Sequence, residues 1–140
     1  MIGLLVVTHG NLGKSLLESI AIITGEVKYA ESIGLYHGDS PEVFRGRIQE
    51  MIEKLDSGKG VLVLVDFFGG TPGNEVLKLL PREKMKVLSG VNMAMLLEVV
   101  VNRDFSNDVE QIGRIALESG SRSVMDLNKA YNNMIERTGK

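Results

Sequence analysis

The sequence predicts an α/β fold: a doubly wound, mostly parallel sheet in the strand order 2-1-3-4, flanked by helices. Three observations carry that prediction. The runs Ile2-Gly3-Leu4-Leu5-Val6-Val7 and Val61-Leu62-Val63-Leu64-Val65 have no polar interruption, as expected of strands buried on both faces. Stretches of helical period alternate with the strand-like runs along the chain, which implies right-handed crossovers and helices on both sides of the sheet. Glycine-bearing turns follow the two strongest strands, His9-Gly10-Asn11-Leu12-Gly13 and Asp66-Phe67-Phe68-Gly69-Gly70-Thr71-Pro72-Gly73. Tight strand-to-helix turns of this kind mark the edge of an open sheet where ligands bind.

The elements follow in order. Strand one is Ile2 to Val7. Helix one covers about Leu12 to Thr24, with apolar residues at 12, 16, 20 and 23. Strand two, about Ser32 to Tyr36, is shorter and more polar and therefore belongs near an edge. Helix two runs from about Pro41 to Leu55, with Asp39 or Ser40 as its cap, Pro41 in its first turn and an apolar stripe of Phe44, Ile48, Met51, Ile52 and Leu55. Strand three is Val61 to Val65. A short helix follows the Gly69–Gly73 turn and reaches about Leu80. Strand four is about Lys86 to Leu88. Gly90-Val91-Asn92 turns into a helix from about Met93 to Asn102, with Met93, Met95, Leu96 and Leu97 facing the core. A further helix spans about Asn107 to Ser119, with Val109, Ile112 and Ala116 inward. A short strand is expected at Ser123 to Leu127, and a frayed helix beyond Lys129.

Bulk properties narrow the function. The chain has 140 residues, enough for one domain with a real core, and 44% apolar against 24% charged residues is ordinary for a globular protein. A net charge of -2 and the lack of a Lys/Arg cluster argue against nucleic acid as a partner. With no cysteine there is no thiolate nucleophile, thiolate metal site or disulfide, and a reducing cytoplasm fits. The apolar runs are too short to span a bilayer.

Chemistry concentrates at two strand ends. His9 closes strand one and Asp66 closes strand three. In the order 2-1-3-4 these strands are neighbours at the point where the connections reverse, so the two residues should share one crevice. A carboxylate bonded to one imidazole nitrogen fixes the tautomer and leaves the other nitrogen free to attack an electrophile. Phosphorus suits that role, because Gly70, Thr71 and Gly10 offer backbone N–H groups and a hydroxyl to phosphate oxygens. The turn has no lysine and does not match the nucleotide P-loop, and strand one lacks the dinucleotide G-x-G-x-x-G. Taken alone, a strand-end histidine is more often structural, and an aspartate after a strand often only caps its turn. The pairing of the two is what favours function. His37, in Tyr36-His37-Gly38-Asp39, reads as an exposed loop histidine.

Together, Val7-Thr8-His9-Gly10, Leu64-Val65-Asp66 with Gly69-Gly70-Thr71-Pro72-Gly73-Asn74, and Gly90-Val91-Asn92-Met93 with Met95-Leu96 resemble the enzyme IIA domain of the mannose/fructose-type sugar phosphotransferase system. The motifs occur in that family's order and spacing, and the resemblance runs from Met1 to about Leu127. It implies a phosphocarrier without cofactor or metal. His9 would accept a phosphoryl group from phospho-HPr and pass it to a histidine of enzyme IIB, which serves a membrane permease. Asp66 would orient His9, and Thr71, Gly70 and Gly10 would bind the phosphoryl oxygens. The resemblance also implies a cytoplasmic homodimer, peripheral to a membrane complex, whose antiparallel last strand, here Ser123 to Leu127, is exchanged between subunits. Residues 1–127 would form the IIA domain and 128–140 a tail, with IIB a separate chain. Gly73 stands where relatives often carry a larger residue.

Three other readings fit less well. A histidine phosphatase or mutase would carry an arginine before His9, where Thr8 stands. A receiver domain phosphorylated on Asp66 would want acidic residues at the end of strand one. A non-catalytic ligand-binding module of the same fold needs neither His9 nor Asp66 in its present place.

Overall fold

The computed structural model describes residues 1–138. Four strands, β1 (Gly3–His9), β2 (Ala30–Leu35), β3 (Val61–Val65) and β4 (Met85–Ser89), form one parallel sheet in the order β2-β1-β3-β4. The described residues also form six helices: α1 (Leu12–Thr24), α2 (Pro41–Leu55), α3 (Thr71–Leu77), α4 (Met93–Asn102), α5 (Val109–Arg122) and α6 (Leu127–Arg137).

The unbroken apolar strands are explained by two cores. On one face Leu4, Val6, Leu62 and Leu64 meet Ile20, Leu96, Val99, Ile112 and Ala116 of α1, α4 and α5. On the other, Leu5, Val7, Val63 and Val65 meet Phe44, Ile48, Ile52 and Val76 of α2 and α3. Successive residues of a strand point to opposite faces, so a strand covered on both sides must be apolar throughout. Phe44, Ile48 and Ile52 are fully buried, and each contributes about 1.5–3 kcal/mol relative to exposure. Ser40 caps α2 by accepting from the Val43 N–H, with Pro41 in the first turn, while Asp39 serves the preceding loop.

β1 runs longer than its apolar run, through Thr8 to His9, because β2 pairs with it that far: Thr8 stands opposite Gly34 and His9 opposite Leu35. Thr8 is a polar residue with no exposure at all. Its Oγ1 accepts from the Gly13 N–H at 3.0 Å, which ties the first turn of α1 to the end of β1.

One expectation needs correction. The inward stripe of α1 is Leu16, Leu17 and Ile20, while Leu12 and Ile23 lie at its two ends and are largely exposed. Within the single chain Ser123 to Leu127 forms no strand of its own; the strand expected there is one that pairs with a second subunit. Residues 123–126 connect α5 to α6, and Leu127 already belongs to α6. A strand needs a ladder partner. This segment leaves α5 without meeting a sheet edge of its own chain, and Val124 and Met125 stay exposed.

Candidate functional site

The carboxyl ends of β1 and β3 meet at the sheet edge. His9 and Asp66 are 57 residues apart in sequence, yet His9 Nδ1 lies 2.7 Å from Asp66 Oδ2. The same carboxylate oxygen accepts the His9 backbone N–H at 2.9 Å, and Oδ1 accepts the Phe67 N–H at 3.0 Å. Burial pushes the Asp66 carboxyl up. The donors around it (the His9 backbone, the His9 ring and the Phe67 backbone) outweigh burial and hold its pKa below the ordinary aspartate value. Asp66 is therefore ionised near neutrality and can only accept. In the neutral imidazole that acceptor selects the tautomer with the proton on Nδ1 and the lone pair on Nε2.

Access matches that chemistry. The His9 side chain is 47% exposed, and the Asp66 side chain is 11% exposed. The carboxylate is held inside and the imidazole faces out. Phe67 stacks on the imidazole with ring centroids 5.5 Å apart and planes 16° from parallel. Phe67 and its neighbour Phe68 are both exposed and form an apolar rim.

The glycine-rich turn reaches the ring. A Cβ on Gly70 would stand 3.0 Å from His9 Cε1 and 3.0 Å from the Phe67 ring, so a side chain there would push both rings by a few tenths of an ångström. Gly70 is also the N-cap of α3, and Thr71 is its first residue. Gly10 turns the chain from β1 into α1 with φ 57°, a left-handed conformation suited to glycine. Its carbonyl passes so close to β2 that a Cβ on Gly34 would collide with it. The β4 end folds over the same edge: the Gly90 N–H donates to the Asp66 carbonyl at 3.2 Å, and the Val91 N–H to that of Val65 at 3.1 Å. Asn92 then caps α4, accepting from the Met95 N–H at 3.0 Å.

The fold thus gathers His9, Asp66, Gly70 and Gly10 at one edge, with Thr71 one residue beyond Gly70. Sequence reading missed two participants. Gly34 is a strand glycine whose role depends on a neighbour 24 residues away and carries no local signal. His37 is exposed, as expected of a loop residue, but it also lines a cavity of about 320 Å³ with His9, Gly10, Leu35 and Tyr36. Among the described residues there is no group of three or more His, Cys, Asp or Glu side chains arranged to hold a metal, and no helix is long and apolar enough to cross a membrane.

Comparison with known proteins identifies the family. Residues 3–116 match the family model described as the PTS system fructose IIA component. The chain is 32% identical over 127 residues to the PTS system mannose-specific EIIAB component of Escherichia coli strain K12, an alignment covering 90% of this chain and 39% of the relative. It spans, then, about two fifths of that relative's length. With the PTS system fructose-specific EIIA component of Bacillus subtilis strain 168 it shares 30% identity over 105 residues, 74% of this chain and 72% of the relative. The crystal structure of phosphotransferase system component EIIA from Streptococcus agalactiae superposes with a TM-score of 0.83 at 31% identity, covering 92% of this chain and 99% of that one.

Proposed function

The chain belongs to the IIA family of the mannose/fructose-type sugar phosphotransferase system, and we propose that it is a phosphoryl carrier whose His9 Nε2 takes the group from phospho-HPr and gives it to a histidine of enzyme IIB. The observation that carries the reading is the 2.7 Å contact between His9 Nδ1 and Asp66 Oδ2, with the opposite corner of an accessible ring left free.

In the first step the Nε2 lone pair attacks phosphorus in line, the N–P bond of the donor phosphohistidine breaks, and the donor imidazole leaves with the electron pair. The His9 ring becomes positively charged. Asp66 stabilises that charge through Nδ1–H without taking the proton. The second step is the same displacement with His9 as the leaving group. Both partners must therefore approach the same face, and each contact must be transient and of modest area. Gly70 and Thr71 at the start of α3, together with Gly10, are suited to bind the phosphoryl oxygens; the fit of Gly70 against the ring supports this. The Phe67 and Phe68 rim would limit water around the adduct and meet the partner.

A phosphatase or mutase is disfavoured by the cavity beside His9, whose lining includes no arginine, and by Thr8, which points inward to Gly13. Residues 1–127 read as the carrier unit and 128–140 as a tail. Incubation with phosphoenolpyruvate, enzyme I and HPr tests the proposal. An acid-labile adduct of one phosphoryl group per chain, passed on to enzyme IIB and absent from His9→Ala, is expected. An adduct that survives His9→Ala overturns it.

A further inference from the structure

The loop after β2 flanks His9 on the side opposite Asp66. β2 pairs with β1 as far as Leu35 against His9, and the Gly10 N–H donates to the Leu35 carbonyl at 2.8 Å. The chain then turns back on itself: the Tyr36 N–H donates to Asp39 Oδ2 at 2.8 Å, and the Asp39 N–H donates to the Tyr36 carbonyl at 3.1 Å. His37 sits inside this closed turn and lines the cavity of about 320 Å³ that His9 also lines. The sheet order puts Asp66 on the β3 flank of His9 and His37 on the β2 flank. With Nδ1 engaged on the β3 flank, the free nitrogen lies on the far corner of the ring.

We propose that His37 is a second phosphoryl-binding residue, whose protonated imidazole donates a hydrogen bond to the phosphoryl group carried on His9. The inference rests on the carrier reading. A phosphoryl group brings a charge of about -1.5 to -2 with its second ionisation near pH 6. Among the residues lining the cavity, His37 alone, apart from His9, can become a cation. The titratable and charged groups around it are His9, which lines the same cavity, Tyr36 and Asp39 in its own turn, and Asp66 behind His9. Imidazole changes charge between pH 5 and 8, so its titration and that of the phosphoryl group are coupled in the neutral range. Phospho-His9 would thus be held most firmly when His37 is charged.

The test follows the imidazole nitrogen signals of the ¹⁵N-labelled wild-type protein through a pH titration, before and after phosphorylation with phosphoenolpyruvate, enzyme I and HPr. The His37 midpoint should rise by about one pH unit in the phosphorylated protein. In His37→Gln, an exposed substitution, the ³¹P midpoint of the phosphoryl group should move upward, because the cation favouring its dianion is gone. Full phosphorylation of His9 with the His37 midpoint unmoved overturns this inference and leaves the carrier reading standing. No adduct at all overturns both.

Discussion

At His9 the chemistry turns on the position of one proton. Asp66 is ionised, so it demands a hydrogen at Nδ1 and thereby exposes the lone pair at Nε2. An amide in its place can present either an acceptor or a donor to Nδ1 and carries no charge. Asp66→Asn should therefore keep its fold, judged by circular dichroism, and take up phosphoryl from phospho-HPr about 100-fold or more slowly in rapid-quench kinetics. Normal uptake would mean that the pairing is structural. The same carboxylate predicts a pH dependence of stability. Its pKa is depressed in the folded protein, so its contribution is fully present above the ordinary aspartate value and is lost as pH falls through the lower folded value. Urea midpoints of the wild type should fall below about pH 4, and Asp66→Asn should show a shallower decline there. Equal slopes would contradict the assignment.

Among elements, those buried on both faces were readable from the sequence. The apolar runs of β1 and β3 and the spaced stripe of α2 each have one explanation, and the helix bounds at 12–24, 41–55 and 93–102 follow from caps and turns that act locally. What local patterns do not carry is contact between elements. β2 holds Gly34 beside Gly10, and nothing near Gly34 announces it. Gly34→Ala should force the β1–α1 turn and the His9 backbone out of place, because the added Cβ would collide with the Gly10 carbonyl. The expected result is a loss of about 2–3 kcal/mol in urea unfolding together with slower phosphorylation. Ala at Gly46, which faces open space on α2, is the control: it should raise stability by about 0.5–1 kcal/mol through helix propensity and leave phosphorylation unchanged. The segment 123–127 forms no strand within one chain for the complementary reason: a strand exchanged between subunits takes its ladder partner from the second copy. β4 is an edge strand, and Val124, Met125 and Leu127 are exposed. Pairing of this segment with β4 of a second copy would satisfy both. That is the pairing expected of the exchanged strand in the homodimer that the family resemblance implies.

Over the whole molecule the two ends of the sheet divide the work. The carboxyl end holds the site, and the amino end is closed by Arg103. This buried guanidinium donates to the carbonyls of Ile2 and Tyr29, each at 2.9 Å, and to that of Lys28. Removing it leaves three carbonyls short of a donor, so Arg103→Met should cost about 2–4 kcal/mol of stability. Because no residue of the site lies there, the folded fraction should accept phosphoryl at the wild-type rate, measured at a temperature below its melting transition. A selective loss of phosphorylation would mean that the two ends are coupled. Sheet order is what joins the parts: it makes β1 and β3 neighbours, and so brings a histidine near the amino terminus to an aspartate at the middle of the chain. The most direct measurement of that account is nitrogen-resolved NMR of the phosphorylated, ¹⁵N-labelled protein. The account predicts a phosphorus bond to Nε2 of His9 with the proton retained on Nδ1. A bond to Nδ1, or to any residue other than His9, would contradict it.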